Sequence, residues 1–196
     1  MQDRRRSARF SLSHPLEGTL RLMDEVPVEQ YVENEMTVLA SMAAKPGEAM
    51  VIDRVIASNA SLLDVHVTRS EPAVVDGLLR HRLTLLVDDE WLASRPIMVG
   101  GLVKAVPVHV VDLSEGGCLV DSPMPLAAGL CGELCITLDD SLRSEALQIC
   151  RCQIVPGAGS LFRVGAQFRL LSLCGHSFRH RLLERVVGSL TAREHG

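Results

Sequence analysis

The chain predicts a mainly β protein with helices, in two modules. Three observations carry this: short apolar runs recur between Gly, Pro and Asx turns, 47% of residues are hydrophobic, and only 3% are aromatic. With mean hydropathy +0.20 over 196 residues, the chain has enough aliphatic material for one large or two small cores. No internal repeat is evident in the residues themselves.

Residues 1–9 form a basic arm with four arginines and one acid. Phe10–Leu22 has strand character interrupted by Pro15 and Gly18. Pro27 suits a first helical position, and Val28, Tyr31, Val32, Met36, Leu39, Met42 and Ala43 recur at helical spacing before Lys45-Pro46-Gly47. This spacing predicts a helix over 27–44 whose apolar stripe packs on a sheet; a dimer seam is the alternative. Ala49–Ala57, Leu62–Thr68 and Leu78–Val87 read as strands. The first module, residues 1–76, is then a partial, β-rich unit with one helix. The second, residues 77–196, continues through strands at 103–111, 118–120, 132–138, 147–155 and 162–171. It closes with a helix whose stripe is Phe178, Leu182, Leu183, Val186, Val187 and Leu190.

Charge excludes some functions. The formal net charge is −4, all of it from the first 76 residues, so neither module has the basic excess of a nucleic-acid binder. No apolar run of about 18 residues suggests a spanning helix, and the charged start is unlike a signal peptide. The expectation is a cytoplasmic protein without membrane insertion. The cysteines, at Cys131, Cys135, Cys150 and Cys152 among others, lack paired C-x-x-C spacing and read as small core residues, with no metal implied. No catalytic motif occurs, and an enzyme is not expected.

The most informative stretch is Val110–Val120, an apolar strand, a polar turn and a second apolar strand. Asp112 and Ser114 project from one side of an extended segment, and Gly116 and Gly117 permit a sharp reversal. A carboxylate and a hydroxyl so placed can accept hydrogen bonds from the ring N–H and exocyclic amine of a guanine. Asp112-x-Ser114-x-x-Gly117 resembles the D/N-x-S-x-x-G signature of PilZ domains, and the strands and helix behind it follow the family's order. Arg5-x-x-x-Arg9 resembles the family's other signature, R-x-x-x-R, but stands about a hundred residues ahead of Asp112.

The resemblance implies a six-stranded antiparallel β-barrel with a C-terminal helix over the second module, and a degenerate PilZ-like module before it. It implies cyclic di-GMP as ligand. Arg5 and Arg9 would clamp it, assisted by Arg4 or Arg6, while Asp112, Ser114 and Gly117 would form the floor. The function implied is a cyclic-di-GMP receptor or adaptor that changes conformation and regulates a protein partner. The alternative is a nucleotide-independent PilZ-like interaction module. The two half-motifs must meet within one chain or across a homodimer for the first to hold.

Overall fold

A computed structural model describes residues 9–56, 59–87, 99–138, 141–157 and 159–169. Ten strands account for nearly all of them: β1 (Arg9–Val32), β2 (Glu35–Ala40), β3 (Ala49–Ile56), β4 (Asn59–Val75), β5 (Leu78–Val87), β6 (Val99–Ser114), β7 (Gly117–Ser122), β8 (Cys131–Leu138), β9 (Ser141–Ile154) and β10 (Phe162–Phe168). The neighbour order is β1-β2-β5-β4-β3-β6-β7-β10-β9-β8, with a further β1–β6 pairing.

The chain divides into two compact units. One unites Met1–Arg21 with Val106–Gly196; the other is Leu22–Ala105, inserted between them in sequence. We call these the flanking and inserted units. Two long strands, β1 and β6, each contribute one part to each unit.

These findings correct the fold expected from the sequence. There is no helix at 27–44 and none elsewhere among the described residues. Residues 27–44 finish β1, turn at Glu33-Asn34, and run through β2 into a loop. The deciding pattern has period two. Met36, Val38, Ala40, Met42 and Ala44 are all buried, while Thr37, Leu39, Ser41 and Ala43 between them are half-exposed. The same apolar residues also satisfy a 3.6-residue period, which is why the stretch reads as a helix. Glu33, at φ 54°, makes the reversal. The closing helix falls in residues 170–196, outside the described residues.

Nor does a six-stranded barrel begin at residue 77. β5 pairs with β2 and β4, inside the inserted unit, and the flanking unit draws its remaining strand from β1 at the other end of the sequence. The partition therefore differs from the expected 1–76 and 77–196.

The two units repeat one another element by element. In the inserted unit the end of β1, a two-residue turn at Glu33-Asn34, β2, a loop, β3, β4 and β5 follow in order. In the flanking unit the end of β6, a turn at Glu115-Gly116, β7, a loop, β8, β9 and β10 follow identically. The loops match in detail. Gly47 (φ 85°) donates its N–H to Val67 O at 2.7 Å, and Gly129 (φ 94°) donates to Ile149 O at 2.8 Å. Both glycines hold left-handed backbone, which a side chain would strain. A bulge between Val28 and Gln30 recurs between Val110 and Asp112, and one between Val67 and Arg69 recurs around Cys150.

Each unit has its own aliphatic core. The inserted unit buries Leu22, Met36, Val38, Ile52, Leu83, Leu85 and Leu102; the flanking unit buries Leu20, Val110, Leu113, Leu134, Leu147 and Ile149. Each such side chain contributes about 1.5–3 kcal/mol through burial. The inserted unit adds polar ties. Lys104, 3% exposed, donates to Ala43 O and to Glu48, each at 2.8 Å, and Asp24 accepts from the Ser41 N–H.

Candidate functional site

The Asp112–Gly117 hairpin closes β6 on β7 through the pairs Asp112↔Leu119, Leu113↔Cys118 and Ser114↔Gly117. Leu113 and Cys118 point into the core, so Asp112 and Leu119 face outward, both half-buried. Glu115 and Gly116 are exposed at the turn, but Ser114 and Gly117 are buried. The Ser114 hydroxyl donates to Gly117 O at 3.1 Å, tying the hairpin shut. Gly117 is needed for space: a Cβ there would lie 2.2 Å from Ala166 O on β10. Two of the three signature residues thus have structural duties within the hairpin itself.

β7 continues to β10 and then β9, which extends the outward face into cross-strand rows. The middle row reads Asp112, Leu119, Gly165, Arg151. Beside it runs His109, Asp121, Arg163, Gln153, and on the other side Ser114, Gly117, Gln167, Gln148. Arg163 grips Asp121 with two bonds, Nε to Oδ1 at 2.9 Å and Nη2 to Oδ2 at 3.1 Å. This hydrogen bonding raises the arginine's already high pKa. Arg151 lies against the sheet instead: a Cβ on Gly165 would meet its Nε at 2.9 Å and its Cγ at 3.0 Å.

A groove of about 470 Å³ opens in the same unit, where Glu17, Gly18 and Thr19 of β1 come beside Pro107 and His109 of β6 and Thr137 of β8. Gly18 allows the approach, since a Cβ there would lie 2.8 Å from Ile136 Cγ2 and 3.1 Å from Cys135 O. Cys135 is buried at its edge, and desolvation pushes its thiol pKa up, with Glu133 adding to the effect.

The structure accounts for the expected site residues as follows. Arg4, Arg5 and Arg6 lie outside the described residues. Arg9 is the first residue of β1, in the flanking unit with Asp112, Ser114 and Gly117. The hundred-residue gap between the half-motifs is occupied chiefly by the inserted unit. Sequence reasoning did not single out Gly165, over which the Arg151 side chain lies. A glycine inside the apolar strand Val164–Phe168 was the available signal, because it marks a close approach of another group. Among the described residues no cluster of three or more His, Cys, Asp or Glu is arranged for a metal ion, and no helix is long and apolar enough to cross a membrane.

No family model matches this chain, and no curated protein matches it. Solved structures show a distant likeness. The apo form of MrkH from K. pneumonia is 11% identical with TM-score 0.38, covering 88% of each chain. The MrkH–c-di-GMP complex is 10% identical with TM-score 0.39, covering 88% of this chain and 90% of the other. The PlzA protein of Borreliella burgdorferi, in complex with c-di-GMP, is 10% identical with TM-score 0.24, covering 83% and 87%. Likeness at this level assigns no function.

Proposed function

We propose that the flanking unit is a cyclic-di-GMP receptor of PilZ type, and that the protein relays ligand binding to a protein partner without catalysing a reaction. One observation carries the reading: the first part of β1, Arg9–Arg21, which begins at the end of the Arg5-x-x-x-Arg9 sequence, belongs to the same compact unit as the Asp112–Gly117 hairpin. The signature displaced by a hundred residues in sequence therefore stands at the start of the first strand of the unit that holds the other signature.

Strand direction supports the same reading. Residues 17–19 of β1 lie beside 107–109 of β6 at the groove. β1 leaves the flanking unit at Arg21 and β6 enters it at Val106, so the two run in opposite directions there. From the groove back to Phe10 is roughly 27 Å of strand, and from the groove forward to Ser114 roughly 20 Å, at about 3.4 Å per residue. Both ends therefore lie toward the same side of the unit. In this reading the arginines fold over a ligand seated at the hairpin. Their planar forks pair with its phosphates or with guanine O6 and N7. Closing the arm shifts the protein toward a partner-binding state.

The test is a calorimetric titration of the full chain with cyclic di-GMP. Binding at micromolar affinity or tighter, abolished in the Arg5→Ala/Arg9→Ala double variant, is the expected result. A second reading has its own observation: the Ser114 hydroxyl and Gly117 already serve the hairpin. That use suits a nucleotide-independent interaction module. An absence of heat with the wild-type chain at high ligand concentration selects it and sinks the receptor.

A further inference from the structure

We infer that the tip of the β4–β5 hairpin is a docking surface for a partner protein, which receives it in an aliphatic cleft with a cationic end wall. The hairpin outruns its neighbours. β3 pairs with β4 as far as His66, and β2 pairs with β5 only from His81 onward. The rungs Val74↔Leu79 and Val75↔Leu78 project beyond both as a two-stranded ribbon. Asp76 (φ 52°) and Gly77 (φ 76°) close it with left-handed backbone at both turn positions, which matches the twist of paired strands. Val74 and Leu79 continue the core-facing side that holds buried Leu83, yet they are 74% and 66% exposed. Leu78, on the opposite side, is 57% exposed. In the flanking unit the matching hairpin ends its pairing at Ile154↔Phe162 and turns through Pro156, Gly157 and Ser160 instead.

The ribbon itself selects the occupant. A second copy stacked face to face would cover only one of its two apolar sides, a few hundred Å² against the roughly 800 Å² per partner of a stable interface. Edge-to-edge pairing of two copies is blocked as well. The rung Val75↔Leu78 flanks the turn and exchanges hydrogen bonds, so by alternation the rung Pro72↔His81 does not. Pro72 therefore turns a nitrogen without hydrogen toward the free edge of β4. A lipid surface is disfavoured because Asp76, at the apex, would enter the hydrocarbon first. The groove lined by Glu17 offers no seat in a second copy, since its carboxylate repels that of Asp76. A partner's cleft with walls about 10 Å from the ribbon on either side covers both apolar sides at once. A lysine or arginine at the end of that cleft pairs with the Asp76 carboxylate.

This surface belongs to the inserted unit and does not depend on the receptor reading. The experiment puts a photoreactive benzophenone side chain at position 78 of the full chain, or at exposed position 142 as control, in cells that make the protein. A protein joined from 78 and not from 142 is identified, purified and titrated with wild type, Val74→Ser/Leu79→Ser and Asp76→Asn. Unfolding midpoints of the free chains are measured alongside. Asparagine tolerates the left-handed turn position, so Asp76→Asn removes the charge and keeps the hairpin. Expected is a loss of about tenfold or more in affinity for the double variant and a few-fold loss for Asp76→Asn, with unchanged midpoints. Undiminished binding by the double variant overturns the inference; undiminished binding by Asp76→Asn overturns its cationic end wall. An adduct with a second copy, equal adducts from 78 and 142, or no adduct overturns it too.

Discussion

The inserted and flanking units share one order of strands, turns and bulges, yet they spend the same positions differently. In the inserted unit the outward arginines are neutralised: Arg82 is held by Glu29 with bonds of 2.6 and 3.2 Å, and Arg69 by Glu71. In the flanking unit the position of Glu29 is Val111 and that of Glu71 is Gln153, and a surface acid appears instead at Asp121. The turn differs too. Gln30-x-Val32-x-x-Glu35 stands where the flanking unit has Asp112-x-Ser114-x-x-Gly117. One scaffold thus carries two different sets of outward side chains, with the arginine at matching positions 82 and 163 paired to an acid on a different strand in each unit. The fold needs only the alternation of buried aliphatic residues; the outward positions are free to diverge, and that is where function is to be sought.

The largest test of this contrast is Gly117. Its missing Cβ leaves room for the β10 backbone, whereas Glu35 carries a full side chain at the matching place. Gly117→Ala is expected to cost about 3 kcal/mol or prevent folding, because backbone cannot move aside as a side-chain tip can. Glu35→Ala should stay within about 0.5 kcal/mol. Equal midpoints in urea for the two variants would refute the distinction.

The next test concerns the loop after β2 or β7. Glu48 and Leu130 occupy matching positions, each lending its carbonyl to the neighbouring strand. Leu130 is buried as an apolar residue, while Glu48 meets buried Lys104. Removing Glu48 leaves a buried ammonium with only Ala43 O. Glu48→Ala is expected to cost about 2 kcal/mol, the penalty for an isolated ion reduced by the partial exposure of the carboxylate. Glu48→Leu with Lys104→Met should recover most of that, since it copies the apolar solution of the flanking unit. A double variant weaker than Glu48→Ala would show that the pair does more than satisfy its own charges.

Ligand binding sharpens the comparison in a different currency. Asp112→Ala should weaken cyclic di-GMP about tenfold or more, and Gln30→Ala should leave the affinity unchanged. A matching loss from Gln30→Ala would place a second site in the inserted unit.

Much of this was legible before the structure, and the failures have physical causes. Strand positions after residue 100 were readable because alternation and turn residues agree there, as in Val110–Val120. The stretch 27–44 was misread because Val28, Met36, Leu39 and Met42 fit two periods at once, and the buried set that decides is fixed only by pairing with β5. The domain boundary was hidden because two long strands, β1 and β6, cross it, so no linker marks it. The repeat is invisible in identity since it is written in burial and backbone angles, with Gly47 and Gly129 among its few shared letters.

The smallest effect lies in the pair that closes the inserted unit's face. Glu29 accepts two bonds from Arg82, and that hydrogen bonding, with the arginine's charge, holds its carboxyl below the usual value of 4.5 despite some burial. A depressed folded-state pKa means that the folded form binds its proton less readily than the unfolded chain. The pair's contribution is therefore fully present above about pH 4.5 and is lost as pH falls through the lower folded-state value. Arg82→Ala should lower the thermal midpoint slightly at neutral pH, and the difference from wild type should shrink as pH falls below 4.5 and through the lowered folded-state value. Arg82 is solvent-exposed, so raised salt should shrink the neutral-pH difference as well. If the difference persists unchanged through acid and high salt, Arg82 acts by packing its aliphatic stem over the strand rather than by pairing with Glu29. The inserted unit's face would then be closed by coverage and not by charge.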